Sequence, residues 1–101
     1  MTKPFLTAGL GRLMTKEELA RAIRQDIIAE NDAIALYEAH IQATDDKAAQ
    51  AVLQHIVDEE KMHVMELQVL IEHLDTDQKM INVKGKTHAE TLIAGGEVEE
   101  D

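Results

Sequence analysis

Three residues of this chain combine the types and spacing that metal chemistry needs: Glu30, Glu60 and His63. Glu60-Lys61-Met62-His63 is an E-x-x-H motif. On a helix its two donors lie one turn apart on one face, so both can reach one ion or a close pair of ions. Register sharpens the motif. Read at three-four spacing, one stretch gives Ala20, Ile23, Ile27, Glu30, Ile34, Tyr37 and Ile41, apolar or aromatic everywhere but Glu30. A later stretch gives Leu53, Ile56, Glu60, His63, Leu67, Leu70 and Leu74, apolar except at its centre. These are the positions that face a partner helix. A carboxylate in such a seam is unfavourable unless it is paired or coordinates a metal. A cation among Glu30, Glu60 and His63 would satisfy all three.

The elements that must position these residues are two long helices. Thr15-Lys16-Glu17-Glu18 reads as a capping box, in which the Thr hydroxyl accepts from a free backbone N–H and Glu18 reaches back to the cap. The helix it opens is expected to run to about Thr44. Thr44-Asp45-Asp46-Lys47 reads as a short turn with a new N-cap, and a second helix follows from about Asp46 to Leu74. Each spans roughly 40–45 Å at 1.5 Å per residue. A turn this short folds the two back as an antiparallel hairpin. Glu30 lies about 15 residues before the turn and Glu60 about 15 after it, which sets them at one height. Residues 76–84 are expected to form a further short helix. The chain thus divides into an N-terminal arm (1–14), a helical hairpin domain (15–84) and a mobile acidic tail (85–101), marked by Gly95-Gly96 and the run Glu97-Val98-Glu99-Glu100-Asp101.

A lone hairpin buries little apolar surface and needs another copy of itself. The ligand count points the same way. A di-iron four-helix bundle takes one Glu from each of two helices and Glu-x-x-His from each of the other two. This chain supplies half of that list. Two copies about a two-fold axis complete an all-α, ferritin-like four-helix bundle and a di-iron centre together. Carboxylate-rich ligation with one imidazole per metal suits iron or manganese better than a structural zinc.

Composition narrows the rest. The chain has 101 residues, 45% hydrophobic but only 2% aromatic, which suits Ala-, Ile- and Leu-rich helix packing rather than an aromatic core. A net charge of −10 argues against nucleic acid and against an anionic membrane surface. With no cysteine, disulfides, zinc–thiolate sites, iron–sulfur clusters and thiol catalysis are excluded. No apolar run approaches the roughly 18–20 residues of a membrane span. The first residues, broken by Pro4, Gly9 and Gly11, lack a signal-peptide core. A cytoplasmic protein is expected.

Over about residues 15–80 the sequence resembles the encapsulated ferritins, short two-helix ferritin-like proteins. The resemblance rests on Glu30, on Tyr37 seven residues later, and on the run Asp58-Glu59-Glu60-Lys61-Met62-His63. It implies a metal site formed between two subunits, dimers joined into a ring-shaped decamer, and oxidation of Fe(II) inside an encapsulin shell that stores the mineral. It implies Glu30, Glu60 and His63 as iron ligands and Tyr37 as a residue close behind them. Two departures stand out. The family often places extra carboxylates beside the ligand Glu as an iron uptake site, and here, among Ala29, Asn31 and Asp32, only Asp32 fits. The family also tends to end in a shell-targeting peptide with Leu, Gly and a terminal basic residue. This C-terminus is acidic, whereas Leu6-Thr7-Ala8-Gly9-Leu10-Gly11-Arg12-Leu13 has some of that character.

Plainer roles exist for the same residues. Glu60 and His63 can form an intrahelical pair, and Glu30 a buried salt bridge, for example to Lys61 of a neighbour. Tyr37 can be core. His40, His55, His73 and His88 read as surface residues, and Met62, Met65 and Met80 as packing. Val57, Val64 and Ile71 form a stripe beside the second seam, either a wider core face or a second contact between dimers. A ferroxidase is the expected function. Its rivals are a non-enzymatic helical assembly or adaptor, with buried polar groups setting register, and a di-metal oxidase acting on another substrate.

Overall fold

A computed structural model describes residues 11–99. All regular structure among them is helical: α1 (Lys16–Ala43), α2 (Lys47–Leu74) and α3 (Thr76–Ile93), with no strand. None of these helices is long and apolar enough to cross a membrane.

Each helix begins where its cap dictates. The Thr15 hydroxyl accepts from the Glu18 backbone N–H at 3.1 Å, and the Glu18 carboxylate accepts from the Thr15 N–H at 2.9 Å. Two of the four orphan donors of α1 are thereby satisfied. Arg12 grips the same carboxylate with two nitrogens, at 2.7 and 2.8 Å. That guanidinium, helped by the Thr15 backbone, holds the Glu18 carboxyl down at about 2. Asp46 caps α2 by accepting from Ala49 N at 2.9 Å. Gln50 reaches back to the carbonyls of Ile41 and Thr44, at 3.3 and 2.7 Å, so the open end of α1 is closed by a side chain of α2.

Asp75 is the joint between α2 and α3. Its N–H donates to Ile71 O at 2.7 Å, and its carboxylate accepts from Gln78 N at 3.1 Å. The Gln78 N–H, and then Arg24, hold the Asp75 carboxyl below its ordinary value. Arg24 of α1 donates to Asp75 at 3.1 Å and to Gln78 at 3.3 Å. Gln78 donates to Asn82, and Asn82 to Glu72 of α2, at 2.7 and 2.9 Å. This chain of polar contacts ties the start of α3 to both long helices.

Contacts between α1 and α2 run in opposite chain order: Ile41 meets Gln50 at one end and Arg24 meets Asp75 at the other. Their shared core is Ala20, Ile23 and Ile34 of α1 against Val57 and Ile71 of α2. Val57 is wholly buried. The stripe of Val57 and Ile71 is therefore the core face of α2 within one chain, and a contact between dimers is excluded for these two residues. The neighbouring stripe that holds Glu60 and His63 lies at the edge of this core, with Leu70 37% exposed.

The third helix continues nine residues beyond the expected end at 84, to Ile93, so the tail expected from 85 begins as helix. Gly85 is a weak breaker, unfavourable by about 1 kcal/mol in a helix interior. Against it stand the Asp75 cap and carbonyl contacts from Thr87 to Val83 and Thr91 to Thr87, at 3.1 and 2.9 Å. The helix stops where Gly95 turns to φ +87°, a conformation that suits glycine. Most of the expected N-terminal arm lies outside the described residues, as do Glu100 and Asp101.

The three helices form a slab with extents of 53 × 47 × 16 Å. A slab so thin is one helix layer, and each helix leaves apolar residues on its surface, among them Ile28, Met65 and Ile81.

Candidate metal centre

Glu30 stands midway along α1, and Glu60 and His63 midway along α2. Packing of α1 against α2 brings them together. One donor atom from each of the three lies within 4.8 Å of the others. His63 Nδ1 is 3.5 Å from Glu30 Oε2 and 3.8 Å from Glu60 Oε2. The two residues from α2 meet because i and i+3 share a helix face.

No hydrogen bond joins these groups. Glu30 Oε2 is buried and has no donor. Ionised carboxylate oxygens accept only, and an imidazole nitrogen that carries no proton accepts as well. Two carboxylates and an imidazole converging on one point, with one oxygen buried and lacking a hydrogen-bond partner, form a group that could hold a cation. Lys61, the nearest candidate in sequence, reaches Glu38 at 3.7 Å instead. Two carboxylate oxygens and one imidazole nitrogen form a donor set that fits a divalent first-row metal. The site also lies open on one side, for His63 is about half exposed in the single chain. Three donors leave coordination positions for a second copy or for substrate.

Two other expected site residues are not brought into the cluster. Asp32 is exposed. Standing two residues past Glu30, it is turned about 200° around α1 and so faces away. Tyr37 is half-buried, about 10 Å further along the helix axis than Glu30. None of the polar contacts among the described residues joins it to the three. Of the remaining histidines, His55 pairs with Glu59 one turn on, at the surface. His40 and His73 are exposed.

The Glu38–Lys61 pair escaped the sequence reading, as did Arg24. Both lie off the apolar seams, where pattern gives no signal. Arg24 had one clue, its place one residue after the core position Ile23 and level with the far end of the second helix.

No protein-family model matches the chain. No solved structure matches it either. Among curated proteins it is similar to the encapsulin nanocompartment cargo protein EncC of Myxococcus xanthus. The two are 52% identical over 77 residues, covering 76% of this chain and 58% of that protein. It is also similar to the ferritin-like-encapsulin shell fusion protein of Pyrococcus furiosus, at 44% identity over 64 residues, 63% of this chain and 19% of the other. The chain therefore spans less than two thirds of the length of either relative.

Proposed function

We propose that this chain is a ferroxidase subunit: it binds Fe(II) through Glu30, Glu60 and His63 and supports its oxidation by dioxygen. The observation that carries the reading is the buried Glu30 oxygen with no donor, facing Glu60 and His63 across two helices. In this reading α1 and α2 act as an antiparallel hairpin, and two copies meet at the open side of the site to complete a ferritin-like four-helix bundle with a di-iron centre.

Fe(II) is the substrate, and each ion gives up one electron to oxygen. The chain's own part is to bind and to orient. Glu30 and Glu60 supply negative charge that favours the higher oxidation state of a bound cation. His63 adds a neutral donor through Nδ1. The apolar neighbours Ile34 and Ile56 limit water on the core side. The open side admits ions from solvent, and the acidic chain favours their approach.

Similarity to an encapsulin cargo protein and to a ferritin-like shell fusion supports a further step. In this proposal the protein works as cargo inside an encapsulin compartment, where oxidised iron is retained. Co-expression with an encapsulin shell protein tests this step, and its absence from isolated shells would contradict it.

The adaptor reading has the three polar groups set register among themselves, through the 3.5 and 3.8 Å contacts of His63 with Glu30 and Glu60, and metal binding tells the two readings apart. Anaerobic equilibrium dialysis against Fe(II) tests metal binding. The expected result is one ion per chain for the wild type and loss of binding in His63→Ala. Equal binding by both would refute the assignment.

A further inference from the structure

The side chains that oxygen chemistry attacks most readily are unevenly represented in this chain. It has no cysteine, no tryptophan and a single tyrosine, but five methionines. Met1 lies outside the described residues. The other four, Met14, Met62, Met65 and Met80, are 47%, 61%, 58% and 73% exposed. Methionine serves elsewhere as a flexible filler of cores, yet none of these four is buried. A thioether at the surface is an oxidisable group whose product, the sulfoxide, reductases return to the thioether. Cysteine carried past the sulfenic acid reaches products that are not restored in this way.

Two of the four stand at the level of the metal centre. Met62 lies between Glu60 and His63 in α2, and Met65 comes two residues after His63. Both are within roughly 3 Å of His63 along the helix axis. As i and i+3 they share one face. That face is turned about 100° to 160° around the helix from His63. Neither thioether therefore joins the donor set, and both stand in solvent beside it. The other two are remote in the fold. Met14 precedes α1, with Glu30 roughly 20 Å further along that helix, and Met80 belongs to α3.

We propose that Met62 and Met65 intercept hydrogen peroxide formed at the metal centre and so protect its ligands, an inference that rests on the ferroxidase reading above. Two Fe(II) ions give one electron each to dioxygen, which takes up two protons and leaves as hydrogen peroxide. The thioether sulfur attacks one peroxide oxygen, and the O–O bond breaks. That oxygen stays on sulfur as the sulfoxide, and the other leaves with both protons as water. Sulfur gives up two electrons and the peroxide gains them. Because both side chains are already in solvent, the polar sulfoxide disturbs no core.

Peptide mass mapping of the full chain after it has oxidised Fe(II) in air tests the proposal. Sulfoxide is expected at Met62 and Met65 ahead of Met14 and Met80. Hydrogen peroxide added to iron-free protein should instead follow exposure, with Met80 first. Met62→Leu/Met65→Leu keeps size and apolar character. It should match the wild type in initial rate of Fe(II) oxidation and lose activity faster over repeated additions of Fe(II). Three results overturn the proposal and leave the ferroxidase reading intact: sulfoxide spread evenly over the four methionines during iron oxidation, the same order of oxidation with and without iron, or equal decay of the double variant and the wild type. If the wild type oxidises no iron, the ferroxidase reading fails and the proposal falls with it.

Discussion

His63 Nδ1 stands 3.5 Å from Glu30 Oε2, across two helices and without a hydrogen bond between them. The first prediction follows from that pair. Glu30→Met removes a buried acceptor that has no donor, and substitutes an apolar side chain at an apolar seam. In metal-free protein it should raise the unfolding free energy by about 1 kcal/mol while abolishing Fe(II) binding. Urea denaturation with chelator present checks it. A loss of stability would mean that Glu30 holds the helices together rather than an ion.

Acid should loosen the start of α1. The Glu18 carboxyl is held at about 2 by Arg12 and the Thr15 backbone, against an ordinary 4.5. A folded-state value below the unfolded one stabilises the fold above 4.5. That stabilisation is lost as pH falls from 4.5 through about 2. Asp75 is lowered as well and acts in the same direction at the α2–α3 joint. Thermal unfolding followed between pH 5 and 2 should show a smaller acid-induced drop in Glu18→Gln than in the wild type. Equal drops would remove Glu18 from the account.

Val57 is the most deeply buried side chain of the core. Val57→Ala should cost about 2 kcal/mol through lost burial and the cavity left behind. The equally conservative Val69→Ala, at an exposed position, should change the single chain little. Chemical denaturation of both variants, under conditions that dissociate the assembly, decides it. Reversal of this order would mean that the stripe of Val57 and Ile71 is not the core face.

Arg24 reaches Asp75 and Gln78 from a partly exposed position, where solvent screens the ion pair, so it adds little to global stability. Its effect should be local. In Arg24→Ala, amide exchange should quicken at residues 76–84 and stay unchanged in the middle of α1 and α2. Uniform exchange along the chain would contradict the view that Arg24 ties down α3.

Much of this arrangement is legible in sequence, for identifiable reasons. Glu30, Glu60 and His63 stand out because each interrupts an otherwise apolar seam. Thr15 and Asp46 announce helix starts because caps are short-range chemistry. Two adjacent apolar stripes on α2 are harder to rank. Spacing does not tell which one meets the same chain, and the Val57 stripe is the one that does. The length of α3 was hidden by Gly85, whose penalty is small beside a good cap and two threonine contacts. Asp32 was suggested by resemblance rather than geometry, and a two-residue offset on a helix turns it away.

Ferroxidase activity is tested by Fe(II) oxidation in air by the purified protein, followed by absorbance, with Glu60→Ala alongside. The expectation is oxidation well above background for the wild type and background alone for the variant, whose helix content should be unchanged. Matching traces, both at background or both above it, would contradict it and return the seam carboxylates to a structural role.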